Sequence, residues 1–160
     1  MIKLLRLAVI VIVISLTGAL IHVKYNPPLD AYGIGSSSDK RVLLVGVGNK
    51  SRFAEIRIED VLVNDNTRPS NVNIQVSDPS KGFIVSDDPE AEEAQNYHFE
   101  DLNAIRLQTD TDRQEQASGK ASGKDTVYAV TIGHDESIHQ VSIAYRYLGL
   151  PYREVIQTKW

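Results

Sequence analysis

The residues best suited to metal chemistry are His134-Asp135-Glu136 and the nearby His139. Two imidazoles and a carboxylate form a ligand set that zinc accepts. Positions five apart do not share a helix face, and on a strand they point to opposite faces. Only a turn between the two histidines would bring both rings together. Two interpretations stay open, a zinc site at His134, Asp135 and His139 or a polar hairpin turn with solvated side chains, and we expect the second.

A second candidate is an acidic segment that contains five carboxylates and no base, namely Asp87, Asp88, Glu90, Glu92 and Glu93. Calcium binds several oxygen ligands at once, so such a segment could hold it. The segment lacks the alternating Asp/Asn and Gly pattern of a calcium loop. A solvated acidic loop is therefore the expected structure.

Catalytic motifs are not evident. The segment Gly46-Val47-Gly48-Asn49 lacks the third glycine of a phosphate loop, and no helical pattern follows it. A Ser-His-Asp triad has no Gly-x-Ser-x-Gly elbow to support it. The absence of cysteine excludes disulfides, thiol catalysis and thiolate metal sites. We predict no catalytic or cofactor-binding residue, no cofactor and no enzyme, with a hydrolase as the least supported alternative.

The C-terminal segment combines aromatic and basic residues, which are enriched at interface hot spots. Its alternation predicts that Tyr145 and Tyr147 face the core, whereas Arg146 and Arg153 face solvent. Arg146 and Arg153 are therefore the predicted interaction residues, and ordinary solvation is the alternative.

The net charge of the chain after residue 23 narrows the class of partner that it could bind. The first 23 residues hold Lys3 and Arg6 and no acid, so the remainder holds 15 basic and 21 acidic residues, a net charge of −6. Nucleic-acid binding needs a basic footprint, so we predict no nucleic-acid partner. Asn49-Lys50-Ser51 matches a glycosylation sequon, a pattern common by chance.

The most apolar segment is Leu7–Val23, LAVIVIVISLTGALIHV, seventeen residues without Asp, Glu, Lys or Arg. A membrane-spanning helix needs about 20 apolar residues, and about 17 is the lower end of the range. Lys3 and Arg6 before the segment favour a cytoplasmic N-terminus. We predict a single-pass anchor that contacts membrane lipid and holds an extracytoplasmic domain at the cell membrane.

Two alternatives to a retained anchor remain. A cleaved signal peptide has the same basic start and apolar centre, and Thr17 and Ala19 are small enough to precede a cleavage site. A buried strand is the other alternative. With an anchor at 1–23, residues 24–40 read as a linker rich in Pro, Gly and Ser, and residues 41–160 as one domain. Within that domain, 108–125 reads as a flexible loop.

Short apolar runs in the domain predict strands and an antiparallel β-sandwich. After Asp60 the apolar alternation of the second run slips by one residue, which predicts a bulge near Glu59–Asp60. In residues 97–107, Phe99, Leu102 and Ile105 give partial helical spacing, whereas residues 104–107 could form a strand. The predicted strands lie at residues 42–48, 55–63, 72–76, 83–85, 127–132, 141–147 and 152–157.

Three of these segments resemble a known group of proteins. They are Val45-Gly-Val-Gly-Asn-Lys-Ser, then Ile56-x-Ile58-x-x-Val61-x-Val63-Asn64, and the tail Ala144-Tyr-Arg-Tyr-Leu-Gly149. The pattern is similar to small membrane-anchored, immunoglobulin-like proteins of Gram-positive bacilli without an assigned activity. The resemblance implies a mainly β, immunoglobulin-like sandwich with one N-terminal transmembrane helix.

The expected function is a binding module for a protein or envelope component, including the case of an accessory subunit of an envelope complex. The alternative is a metal- or ligand-binding sensor.

Overall fold

A computed structural model describes residues 2–86, 88–111 and 126–158. These residues form an N-terminal helix followed by eight strands. The helix α1 is Ile2–Tyr25. The strands are β1 Leu29–Ser36, β2 Val42–Asn49, β3 Arg57–Val63, β4 Asn71–Ser77, β5 His98–Glu100, β6 Val127–Gly133, β7 Gln140–Tyr147 and β8 Leu150–Gln157.

The strands form two sheets in which every pairing is antiparallel. One sheet has the order β1-β2-β6-β4-β5, and the other has the order β3-β7-β8. Apolar side chains from the facing sides of both sheets form one buried cluster. The predicted mainly β sandwich is confirmed.

Alternation of apolar residues along each strand builds this core. In β2, β6 and β7, every second residue points inward and is almost inaccessible to solvent. The central inward residues are Leu43, Val45 and Val47 of β2, Tyr128, Val130 and Ile132 of β6, and Val141, Ile143 and Tyr145 of β7.

The predicted bulge in β3 is confirmed. The pairing of β3 with β7 shifts register between Ile58 and Asp60, so that Glu59 is the extra residue. Ile58 and Val61 are both buried, at 1% and 2% exposure. Because the bulge absorbs one residue, both apolar phases of β3 reach the same core.

Residues 24–40 are not a linker throughout, because Leu29–Ser36 forms the edge strand β1. Pairing with β2 places Tyr32 opposite Gly46. A Cβ atom on Gly46 would lie 2.6 Å from the Tyr32 ring, so the ring occupies the space that the glycine leaves open. The same Cβ atom would lie 2.8 Å from Ile34 Cδ1, so two side chains of β1 pack over Gly46 although the segment is rich in Gly and Ser.

The chain between α1 and β1 is only Asn26-Pro27-Pro28. Val23 at the end of α1 packs against the core cluster, and Tyr152 Oη donates a hydrogen bond to Val23 O at 3.3 Å. The sandwich therefore sits directly on the end of the helix.

The predicted strand at 83–85 is not a strand in the structure. Ile84 instead exchanges hydrogen bonds with the side chain of Gln75, which replaces a neighbouring strand. Residues 104–107 are not a strand, because they make only the single bridge between Leu107 and Ile56, and the short strand in this segment is β5 at its start. Most of the predicted loop 108–125 lies outside the described residues, as does Trp160.

Helix α1 covers the predicted apolar segment and has 24 residues. Among the residues that the structure describes, no helix meets the combined length and apolarity needed to cross a membrane.

Candidate functional site

The two outer faces of the sandwich differ in how they are covered. On the five-stranded sheet, outward-facing residues are nonetheless buried, including Leu44, Gln75, Ala129 and Thr131. The described part of the β4–β5 connection, residues 78–86 and 88–97, passes over them, and we call it the strap. Its residue Val85 approaches β1, since a Cβ atom on Gly35 would lie 3.3 Å from Val85 Cγ2.

Gln75 fastens the strap to the sheet. Its Nε2 donates to Ile84 O at 2.7 Å and to Thr131 Oγ1 at 2.7 Å. Its Oε1 accepts a bond from Ile84 N at 3.1 Å. The side-chain amide of Gln75 thus satisfies both backbone groups of Ile84, as a neighbouring strand would.

The outer face of the three-stranded sheet is left exposed by the described part of the chain, and we call it the open face. Its charged side chains are exposed or half-buried, and small or apolar residues lie between them. Register and alternation assign to it Arg57, Glu59, Asp60 and Leu62 of β3, Ser142, Ala144 and Arg146 of β7, and Pro151, Arg153 and Val155 of β8.

Arg146 lies on the open face, as predicted. Its Nε donates to Glu59 Oε1 at 2.9 Å, and its Nη1 donates to Gly149 O at 3.0 Å. The two side chains of the ion pair are 48% and 35% exposed, so water screens the attraction and the pair adds little stability. A guanidinium has five N–H donors, so donors of Arg146 remain for a partner.

Arg153 also faces outward, as predicted, and extends across β7. Its Nη1 donates to Ser142 Oγ at 3.0 Å and to Asn66 Oδ1 at 3.4 Å. The side chain covers Ser142, which is only 4% exposed. Hydrogen bonds therefore hold both arginines on one face, Arg146 at the hairpin end of β7 and the side chain of Arg153 over the centre of β7.

Strand β8 forms one edge of this sheet. The β7–β8 loop is the two residues Leu148 and Gly149, both with positive φ, at 49° and 79°. In a two-residue hairpin loop the flanking residues, here Tyr147 and Leu150, form a hydrogen-bonded pair. Residues 151, 153, 155 and 157 therefore direct their backbone N–H and C=O groups away from β7. Pro151 fits the first of these positions because it has no N–H to leave unpaired. Val155, the third, is 47% exposed.

Beneath the open face, the inward side of the β7–β8 hairpin is aromatic. Tyr145 and Tyr147 are 1% and 5% exposed, which confirms their predicted core positions. Tyr145 stacks on Tyr152 with ring centroids 5.3 Å apart. Burial raises the pKa of Tyr145 above its ordinary value. Burial also raises the pKa of Tyr152, and the nearby Tyr147 adds to this shift. These rings give the face a rigid base.

The predicted metal candidates lie at the opposite end of the sandwich from α1. His134 N donates to Arg41 O at 2.9 Å, and His139 N donates to Asn64 Oδ1 at 2.8 Å. The Asp135 carboxylate accepts a bond from Ser70 Oγ at 3.1 Å. No group of three or more potential ligands assembles among the described residues.

The acidic segment belongs to the strap. Asp87 lies outside the described residues, whereas Asp88, Glu90, Glu92 and Glu93 are exposed. Asp88 Oδ1 accepts a bond from Glu90 N at 2.9 Å, which closes a turn.

The sequon asparagine is buried. Asn49 is 0% exposed, and its Nδ2 donates to Ala54 O at 2.9 Å and to Leu107 O at 3.3 Å. Its Oδ1 accepts a bond from Ser51 N at 2.9 Å. The folded domain therefore uses this side chain to tie loops together and does not present it for glycosylation.

Sequence reasoning missed Glu59 as the partner of Arg146, and it missed the open edge of β8. The pairing of Glu59 depends on the bulge and on a contact between residues 87 positions apart. The edge had a local signal, because Leu148-Gly149 between two alternating strands is compatible with a two-residue hairpin.

Comparison with protein families, with curated proteins and with solved structures gives no match to this chain.

Proposed function

We propose that this protein is a single-pass, membrane-anchored binding module whose open face contacts a protein partner outside the cytoplasm. The observation that carries the proposal is the difference between the two outer faces. The strap covers the five-stranded sheet, whereas the three-stranded sheet presents Arg146, Arg153 and the edge of β8. A binding surface has to be accessible and held in place, and this face meets both requirements.

The chemistry of the open face favours a protein that offers carboxylates or backbone carbonyls. Arg146 and Arg153 present unused guanidinium donors, which bind such oxygens well. The β8 edge provides backbone groups for an added strand, and Val155 provides apolar contact beside them. The net charge of −4 for the chain is unfavourable for nucleic acid.

The strand order supports an immunoglobulin-like assignment within the sandwich class. A constant-type immunoglobulin domain has the order A-B-E-D in one sheet and C-F-G in the other. Naming β1, β2, β3, β4, β6, β7 and β8 as A to G gives the same two orders here, with β5 as an added edge strand. Binding modules often use this architecture, which is an analogy and does not identify the partner.

Two observations support the membrane anchor. The side chains of residues 10–14 of α1 are 54–65% exposed, and all five are Ile or Val. Five consecutive positions circle a helix, so an apolar surface surrounds it, as hydrocarbon would favour and water would not. In length alone, a helix of 24 residues, about 36 Å, suffices for the roughly 30 Å hydrocarbon layer, although the described residues of α1 do not meet the combined criterion of length and apolarity for a membrane span. Together with Lys3 and Arg6, this supports an extracytoplasmic domain.

Site-specific photo-cross-linking of the full-length chain in native membranes tests the proposal. A photoreactive phenylalanine analogue replaces Val155 on the open face, and in the matched control it replaces the exposed Glu90 on the strap. We expect a discrete cross-linked protein from the Val155 position and none from Glu90. The cross-link should weaken in an R146A/R153A variant, because the two guanidiniums would hold the partner.

Loss of these two arginines should leave the domain folded, since exposed pairs contribute about 1 kcal/mol or less. The R41A variant is the control for removal of a positive charge, because Arg41 lies at the far end of the domain and is exposed. Equal cross-linking from Val155 and Glu90, or an unchanged yield with R146A/R153A, would show that the open face is not the binding surface.

A further inference from the structure

The end of the sandwich nearest α1 carries three exposed apolar or aromatic side chains. Phe53 is 91% exposed, Tyr25 is 77% exposed, and Leu148 at the tip of the β7–β8 hairpin is 57% exposed. A large aromatic side chain that packs against nothing is unfavourable in water. We call these three residues the rim.

Hydrogen bonds hold the rim together as one surface. Lys50 N donates to Pro28 O at 2.8 Å, which joins the β2–β3 loop to the exit of the helix. The hydroxyls of Ser51 and Tyr147 are 2.6 Å apart, which joins the same loop to the hairpin. The three rim residues thus come from separate segments that are fixed to one another.

The rim lies level with the end of the proposed anchor. Val23, the last residue of the predicted apolar segment, already packs on the sandwich core. Val23, Tyr25, Lys50 and Phe53 also line one groove of about 420 Å³ beside the helix exit. The headgroup layer on each side of a bilayer is roughly 5–8 Å thick. A sandwich that touches the helix at Val23 leaves no gap for this layer to pass beneath it.

The residue types fit that layer. Tyr rings concentrate at the membrane–water interface, where the ring meets acyl chains and the hydroxyl meets water, and Phe and Leu are typical of the apolar side chains that interfacial segments insert there. Lys24 and Lys50 add positive charge beside Tyr25 and Phe53, and phospholipid phosphates attract such charge.

We propose that the rim inserts into the phospholipid headgroup layer, so that Phe53, Tyr25 and Leu148 contact lipid and the adjacent lysines meet phosphates. This inference rests on the membrane anchor of the proposed function. Whereas the sequence predicted a linker at 24–40, this proposal gives a domain seated on the membrane in one orientation.

Tryptophan fluorescence in vesicles tests the rim. The full-length chain carries W160F, which removes its only tryptophan, together with either F53W or, as a control at the far end, E136W. Both sites are exposed, so an indole can be placed there without disturbing the core. The vesicles contain phosphatidylcholine and phosphatidylglycerol, with acyl chains that are brominated near the headgroup or unbrominated.

We expect the F53W emission to be blue-shifted and strongly quenched by brominated lipid, and the E136W emission to be neither. An alkaline wash of the vesicles tests the anchor separately. Retention of the chain with an unquenched F53W indole would overturn the rim and leave the anchor intact. Equal quenching of both indoles would also overturn the rim. Release by alkali would overturn the anchor and the rim with it.

Discussion

Replacing Gln75 by Ala removes the side chain that fastens the strap. Gln75 is 1% exposed and makes three hydrogen bonds, two with the backbone of Ile84 and one with Thr131. At about 1 kcal/mol for each intramolecular hydrogen bond, the loss is about 3 kcal/mol. Because Ile84 is only half-buried, water can replace part of this interaction in the variant, and we expect a net loss of about 2 kcal/mol.

The expected result has a local and a global part. The Ile84 N–H should lose its protection from hydrogen exchange, because its acceptor Gln75 Oε1 is gone. A loss of about 2 kcal/mol should lower the melting temperature of the full chain in detergent by roughly 6–10 °C. Q157A is the matched control, because Gln157 also makes an amide hydrogen bond, to Gln140 at 2.8 Å, but on the exposed surface.

The control variant should stay within about 0.5 kcal/mol of the parent. If Q75A and Q157A melted at the same temperature, or if Ile84 kept its protection in Q75A, Gln75 would not be what holds the strap. The covered state of the five-stranded sheet would then depend on other contacts, such as that of Val85 with β1.

Two further predictions concern the core and the edge of the first sheet. Folding raises the pKa of Tyr145, so the unfolded chain releases this proton first, and the stabilisation is fully present below about pH 10 and falls by at most about 1.4 kcal/mol per pH unit above it. The Y145F variant should show a smaller loss of stability with rising pH in alkaline melting curves. An unchanged slope of stability against pH would contradict this prediction. The G46A variant places a methyl group against the Tyr32 ring and should lower the free energy of unfolding, measured with denaturant, by about 1–3 kcal/mol. The same substitution in a Y32A background should lower it by less, and equal losses in both backgrounds would rule out the ring as the cause.

The strands that could be predicted from sequence are those in which the alternation of apolar and polar residues indicates which side chains face the core and which face solvent. The slip after Asp60 identified the bulge in β3 because both apolar phases had to reach one core. Tyr145 and Tyr147 were placed in the core, and Arg146 and Arg153 outside it, by the same reasoning. This part of the fold is encoded locally, residue by residue.

The features that sequence reasoning missed depend on contacts between distant residues. Strand β1 pairs with β2, where Tyr32 fills the space beside Gly46, and nothing within residues 29–36 indicates that partner. Phe83-Ile84-Val85 has a strand-like composition, yet its backbone bonds go to a side chain instead of a sheet. Of the candidate site, the two arginines were predicted, whereas their setting, with Glu59 and the open edge of β8, required the assembled sheet.

The short connection between α1 and β1 sets how far the protein can reach. A strand of eight residues is about 26 Å long, so with α1 as the proposed anchor the sandwich would end roughly 3 nm above the bilayer. In that arrangement the three residues between α1 and β1 would confine the domain to partners that come within that height. Neighbours in the same membrane satisfy this condition continuously, since their search is confined to two dimensions. On this geometry, a protein already embedded in or bound to the same membrane is a more accessible partner than one diffusing freely in the surrounding solution.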